Sequence, residues 1–451
     1  MTTQSQPSGL QSAYPNPAYA WYVVVLLLLS YIVSWLDRQI LSYLIGPIKV
    51  SFALSDTEIG LLLGPAFAIF YITLGIPLGW LADRKSRRML IGWGITLWSL
   101  MTAISAFSAN FTQLFLARIG VGVGEAALTP SALSLINDYF PKEKRGRAVS
   151  LYMSGISMGT AIGSILGGWI VAQVMKTPEI TLPLIGPMEG WRATFIVVGL
   201  PGLILALLMF TVKEPARRDR VSVSGDAITQ PSLLDALKYY WKHRGAFGCL
   251  WFGQTGMTVI GYAQFFNAEL FRRTWGWGMA DIGLALGILF LIFGPGGANA
   301  GGWLADRFTK AGDKGGPMRA VVIANMILIP FSIIYPLMPT PWLALAMLAL
   351  STFGGAMASA CGATATTLLA PNQVRAQAVA VYWVIINFAG LFIGPPLVGL
   401  ITDKVFGDEM ALKYGLAFVP AVMAVPVFFL LLRGLKNYRS QMAALEQQTG
   451  A

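Results

Sequence analysis

Long apolar windows separated by short polar intervals dominate this chain. Twelve of them are long enough to cross a hydrocarbon layer of about 30 Å as helices: 19–45, 57–82, 89–108, 111–138, 146–173, 191–212, 245–270, 281–305, 318–338, 341–369, 375–401 and 411–433. In lipid a spanning segment must satisfy its own backbone, which leaves helices and closed barrels. The windows lack the short alternation of barrel strands. The pattern therefore predicts an all-α polytopic membrane protein of 12 transmembrane helices. The longest polar interval, 213–244, follows the sixth window and separates an N-terminal six-helix bundle at 1–212 from a C-terminal one at 245–451. Its charged start reads as a linker, and its later part, from Pro231 to Arg244, as an amphipathic helix lying on the membrane surface.

The two halves are copies. Ile59-Gly-Leu-Leu-Leu-Gly64 returns as Ile282-Gly-Leu-Ala-Leu-Gly287, and Gly79-Trp-Leu-Ala-Asp83-Arg84 returns unchanged as Gly302-Trp-Leu-Ala-Asp306-Arg307. Both pairs share one offset of about half the chain. Pro141, Arg145, Ala148, Val149 and Tyr152 recur in spacing and type as Pro371, Arg375, Ala378, Val379 and Tyr382. Such duplication builds two bundles that rock about a site between them.

Composition agrees: 55% of residues are hydrophobic and 12% charged, far from soluble usage. The net charge of +11 does not point to nucleic acid, because the basic residues sit in short runs between apolar windows. Placing the N-terminus inside puts twenty-three of them on one side: Arg84, Lys85, Arg87, Arg88, Lys142, Lys144, Arg145, Arg147, seven across 213–244, Arg307, Lys310, Lys314, Arg319, Arg375, Arg433, Lys436 and Arg439. Seven lie on the other: Lys49, Lys176, Arg192, Arg272, Arg273, Lys404 and Lys413. The positive-inside rule then makes both termini cytoplasmic, in a multi-pass protein of the cell membrane. The two cysteines, Cys249 and Cys361, read as packing residues, and the single histidine leaves no metal cluster. No cofactor is expected, nor any enzyme activity: no nucleophile–base pair or phosphate loop appears. Gly120, Gly122 and Gly124 lie inside an apolar helix without a preceding strand, so they are no nucleotide loop.

Four charges interrupt the windows: Asp37 and Arg38 in the first, Arg118 and Glu125 in the fourth. Each costs roughly 2.5–3.5 kcal/mol at mid-membrane unless it faces a cavity and pairs. Counting ~1.5 Å per residue from the window ends puts Asp37 and Arg118 at similar depth, with Glu125 two turns deeper. The expected pair is Asp37 with Arg118, although Arg38 is an alternative. Glu125 lacks an obvious basic partner at its depth, which suits a proton carrier because desolvation penalises a lone carboxylate's charge. The second half has no charge in mid-window and offers Gln254, Tyr262, Gln264, Thr364, Thr367, Tyr382 and Asn387 among many aromatics. A charged wall facing an apolar one fits a ligand with a polar head and a greasy tail.

The stretch Gly79 to Arg88 resembles the loop signature of the major facilitator superfamily, with Ser86 where that family usually has Gly. The resemblance implies that Asp83 faces the start of the eleventh helix near Arg375, and Asp306 the start of the fifth near Arg145. A carboxylate is attracted to the positive end of a helix. Asp138 would complete a charge network with Arg84 or Arg88. Arg118 followed by small residues matches a second signature of that superfamily. Gly155, Gly159, Gly163 and Gly167, spaced by four, permit close helix packing or a hinge; the Pro of the antiporter signature is missing, with Thr160 and Ser164 nearby.

Leu36-Asp37-Arg38, Pro47-Ile48-Lys49, Leu54 to Leu62, Ala66 to Tyr71, Gly75 to Gly79, Gly122 to Ala127 and Asp138 to Pro141 together resemble the spinster family of this superfamily. That likeness implies a proton-coupled transporter of amphipathic lipids such as lysophospholipids or sphingosine-1-phosphate. Asp37 and Glu125 would be protonation sites, and Arg38 a partner to them or to an anionic headgroup. The implied partners are the lipid substrate, protons and membrane lipids, with the chain acting as a monomer. A carrier of small organic anions or drugs is the alternative within transport. A passive scramblase or a non-transporting receptor is the alternative outside it, and has no need of repeated gate motifs.

Overall fold

A computed structural model describes residues 14–177, 179–182, 186–217, 233–371 and 373–449. The middle of the expected linker, 218–232, lies outside the described residues. Every predicted window is helical. In the first half the spans are α1 (Pro17–Tyr43), α3 and α4 (Asp56–Leu63 and Pro65–Ala82), α5 (Arg87–Ser105), α6 and α7 (Phe111–Glu125 and Leu128–Tyr139), α8 (Lys142–Val174) and α9 (Gly190–Thr211), with the short α2 (Ile45–Phe52) after the first. A surface helix, α10 (Leu233–Lys242), precedes the second set. That set comprises α11 (Arg244–Ala263) with its extension α12 (Asn267–Trp275), α13 (Met279–Lys310), α14 (Gly316–Ile334), α15 (Pro341–Leu369), α16 (Arg375–Leu400) and α17 (Leu412–Thr449). Ten of the spans are long and apolar enough to cross a membrane by composition alone; α5 and α11 complete the twelve. The two described strands, Glu179–Leu182 and Gly186–Glu189, form a small antiparallel hairpin between α8 and α9.

Local chemistry explains the ends and breaks. Asn16 caps α1 by accepting from the Ala18 amide at 2.9 Å, with Pro17 in the first turn, where its missing N–H is no loss. Ser55 and Glu58 close a reciprocal capping box at the start of α3. The second predicted window is one continuous stretch, but its helix breaks at Gly64–Pro65. A side chain at Gly64 would meet the Leu391 carbonyl of α16 at 2.0 Å, so the break lets another backbone come close. The fourth window breaks after Glu125, where α6 ends and α7 begins three residues later at Leu128. The twelfth helix runs to Thr449, well past its predicted end at 433.

Within the first bundle α8 packs along α1, and the four-spaced glycines are the reason. Gly155, Gly159 and Gly163 face Tyr31, Trp35 and Leu36 at 2.7–3.1 Å from a built Cβ, and Gly167 faces Tyr43 at 3.4 Å. Gly122 and Gly124 likewise seat α6 on the backbones of α4 and α5. The bundles meet through α8 with α13 and α3 with α16. Gly168 lies against Met279 and Gly283, Gly60 against Pro395, and Gly399 against Asp56. All these contacts lie toward one face, called here the far face. On the opposite, terminal face, which carries both chain ends and the even-numbered connections, Gly75, Gly146 and Gly302 have nothing within 4 Å of a built Cβ among the described residues. The bundles therefore close together at the far face and part at the terminal one.

Candidate transport site

Arg38 anchors the site. It projects from α1 and ion-pairs with Glu125 of α6, Nη2 to Oε2 at 2.5 Å, with Nε adding a hydrogen bond at 2.7 Å to the same oxygen. Ser34, one turn before Arg38, donates to that oxygen at 2.6 Å. The guanidinium lies over the rings of Trp35, Phe67 and Tyr71, at 5.0, 4.3 and 4.6 Å from their centroids. Such contacts compensate a cation removed from water. Tyr262 of the second bundle lies within electrostatic reach of Arg38 and donates to Asn387 at 2.7 Å. The constellation thus sits where the two bundles face each other.

The pairing differs from the sequence reading in three ways. Glu125 has a basic partner, Arg38, because a long side chain on α1 reaches a turn deeper than its own Cα. Arg118 does not bind the Asp37 carboxylate; its Nη1 and Nη2 donate to the Asp37 backbone carbonyl at 3.4 and 3.3 Å. The Asp37 carboxylate is instead fully buried, and among the described residues neither of its oxygens, nor the second oxygen of Glu125, nor Nε of Arg118 has a hydrogen-bond partner. The orphan carboxylate is Asp37, not Glu125.

Of the polar residues expected to face it from the second half, Tyr262 and Asn387 do so as a hydrogen-bonded pair. Gln254 is buried inside its own bundle, donating to the Ala358 carbonyl at 2.6 Å and accepting from Asn325 at 3.0 Å. Tyr382 is fully buried beside Gly362, within the same cluster. Thr364 and Thr367 bond back to carbonyls of their own helix, and Gln264 donates to Ser351.

The gate motifs occupy the terminal face in an open arrangement. Asp83 and Asp306 are exposed, and neither carboxylate has a partner among the described residues. They do not reach the helix starts near Arg375 and Arg145, since the bundles have parted there. Each of those arginines instead folds onto the loop before it: Arg145 donates to the Phe140 carbonyl at 2.8 Å and Arg375 to that of Ala370 at 3.4 Å. The copies also match at Arg84 over Trp80 and Arg307 over Trp303. Asp138 pairs with neither Arg84 nor Arg88 but with the buried Arg87, which also binds Glu214 at 2.8 Å. Only Arg87 points inward from the first turn of α5. Arg88 instead caps the end of α9 through the Phe210 and Val212 carbonyls. Burial pushes the Glu214 carboxyl up. Hydrogen bonds from Arg87, the Arg88 amide and Ser86 outweigh that and hold it below the usual carboxylate range.

The far face holds a lock that sequence reasoning missed. Asp56 accepts from Lys49 at 2.8 Å and from both Nη atoms of Arg273 at 2.8 and 2.9 Å. Arg273 also binds Glu269, and Lys49 reaches Glu409 at 2.8 Å. Asp403 of the second bundle accepts from the amides of Asp56 and Thr57 and from the Thr57 hydroxyl, at 3.2, 2.7 and 2.6 Å. It therefore caps the start of α3 across the interface, where a carboxylate is favoured by both hydrogen bonding and the helix dipole. The available signal was that Lys49, Arg272 and Arg273 stand among the few basic residues on the side the positive-inside rule keeps poor in them.

Twelve helices in two repeated bundles, closed at one face and parted at the other around a buried charge cluster, define a secondary-transporter architecture. The major facilitator superfamily pattern matches residues 27–395, and the chain belongs to that family. It is 27% identical to an "MFS-type efflux pump" of Mycolicibacterium smegmatis over 438 residues, 96% of each chain. It is 30% identical to a "Probable L-galactonate transporter" of Escherichia coli over 345 residues, 73% of this chain and 72% of the relative. Among solved structures it is similar to a bacterial homolog of the human lysosomal transporter Spinster, in an inward-facing and unoccupied conformation. The TM-score is 0.77 at 26% identity, covering 95% of this chain and 98% of the other. The spinster resemblance of the sequence thus extends to the whole fold. The protein is a multi-pass membrane transporter, not an enzyme.

Proposed function

We propose that this chain is a proton-coupled secondary transporter of an amphipathic lipid with an anionic head, working by alternating access, with both termini cytoplasmic. The observation that carries the reading is Arg38: a buried guanidinium caged by three rings, tied to Glu125, one residue from the unpartnered Asp37 carboxylate. An anionic head can take the place of Glu125 on Arg38 once a proton neutralises that carboxylate, and a proton on Asp37 removes a buried charge that no hydrogen bond stabilises. Proton and substrate then bias the same two-state molecule. The parted terminal face corresponds to the cytoplasm-facing state, and the Asp83 and Asp306 contacts form when that face shuts. The expected two units, 1–212 and 245–451, move as the rocking bodies.

A second reading, a carrier of small organic acids, is favoured by the likeness to the probable L-galactonate transporter of Escherichia coli, since a sugar acid would present a carboxylate to Arg38. Uptake into proteoliposomes under an imposed pH gradient tests both, using a labelled lysophospholipid and a labelled sugar acid with wild type, Asp37→Asn and Glu125→Gln. Gradient-driven lysolipid movement lost in both variants is the expected result. Movement of the sugar acid alone replaces the substrate class, and lipid movement indifferent to gradient and variant replaces the mechanism with passive scrambling.

A further inference from the structure

The surface helix α10 divides its circumference into three strips. Ala236 and Tyr240 are buried against the second bundle, packed with Phe247, Trp251 and Val374. A second strip is apolar yet open: Leu237 is 42% and Trp241 72% exposed. The third carries Lys238 and Lys242, with Asp235 beside them 4.0 Å from Lys238. Arg244 lies over the Trp241 ring at 5.5 Å. One residue, His243, separates α10 from α11, so the helix is held where a membrane span enters the bilayer. An indole and a leucine beside a basic strip at that level match the interfacial zone, where the rings sit at headgroup depth and the lysines reach anionic phosphates.

The buried strip also makes a specific connection. The Tyr240 hydroxyl donates to the Val374 carbonyl at 2.9 Å, and Val374 is the cap residue from which α16 begins at Arg375. This is the helix start that the gate motif of the first half would meet when the terminal face closes. We infer that α10 is a docking site for the anionic phospholipid leaflet at the terminal face, and that Tyr240 passes this contact to the start of α16, so that anionic lipid biases the gate. The inference holds whichever substrate the central site takes. The basic strip and the open indole favour a lipid surface over a protein partner.

Two measurements on the full-length protein test it. In the first, Trp241 fluorescence is taken as wild type minus Trp241→Phe in liposomes of phosphatidylcholine with or without phosphatidylglycerol. Quenching by brominated lipid rather than by aqueous iodide is expected, and iodide quenching alone would overturn the docking. In the second, spin labels at Lys144→Cys and Lys310→Cys report the separation of the bundles at the terminal face. Adding phosphatidylglycerol should change the ratio of open to closed populations at least threefold. Lys238→Gln/Lys242→Gln/Arg244→Gln should cut that change below twofold, and Tyr240→Phe should do the same while leaving the lipid quenching of Trp241 intact. A gate ratio indifferent to lipid charge in the wild type, or a Tyr240→Phe protein that still responds fully, would overturn the coupling.

Discussion

Removing one member of the Arg38–Glu125 pair strands the other as a buried charge, a loss of about 3–5 kcal/mol for pairs of this kind. Arg38→Ala and Glu125→Gln should each lower the melting temperature in detergent, whereas Arg38→Leu/Glu125→Leu should recover most of the loss. Asp37 sets the opposite expectation, since its carboxylate is buried with no hydrogen bond. Asp37→Asn should raise thermal stability while abolishing the response of uptake to a pH gradient. A variant that melted lower would mean that the carboxylate has a stabilising partner. The four intramembrane charges were legible in the sequence because apolar windows make any charge conspicuous. Their pairing was not, because depth counted along a helix ignores how far an arginine side chain reaches.

Helix contacts here depend on absent side chains. At Gly168 a Cβ would lie 2.4 Å from the Met279 carbonyl of α13, so Gly168→Leu should hold the far face apart. Overpacking of this order costs about 1–3 kcal/mol, roughly five- to a hundred-and-fiftyfold in the closed population, readable as a longer spin-label distance across that face. Gly155→Ala meets only side-chain atoms at 3.0 Å and should be milder. On the terminal face, Glu214 ties the start of the linker to Arg87 and Arg88. Its carboxyl is held below its unfolded value, so the stabilisation is present at neutral pH and is lost as pH falls through the usual carboxylate range and past the depressed value. Protease sensitivity of the linker should rise over that acid window, and Glu214→Gln should remove the pH dependence. The helix windows were legible from hydropathy. The breaks at Gly64 and after Glu125 were not, because they answer to neighbouring backbones rather than to local propensity.

At the scale of the whole molecule, the contacts of Asp56 with Arg273 and of Asp403 with the start of α3 join the two bundles at the closed far face. Asp403 supplies three hydrogen bonds across the bundle interface, and hydrogen bonds to a charged group are worth about 1.5–3 kcal/mol each. Asp403→Ala should therefore open the far face at least tenfold more often, and a cysteine placed at Ile59, buried on α3 where that helix packs on α16, should report this by faster reaction with an impermeant thiol reagent. An unchanged rate would show that Arg273 and Asp56 hold the face alone. The fold was legible at this scale from two features of the chain: twelve windows, and a repeat joining them into two halves. The windows are a local property that lipid imposes on any spanning segment, since the backbone must be satisfied within each helix, and the repeat is read directly from the recurring motifs. The sequence likewise carried the charge asymmetry and the four intramembrane charges. The tertiary structure alone decided the state of the gates, the partner of each buried charge and the lock built from Lys49, Asp56, Arg273 and Asp403. Those depend on how two bundles lean against each other, a balance of a few kcal/mol between packed arrangements that no single helix contains.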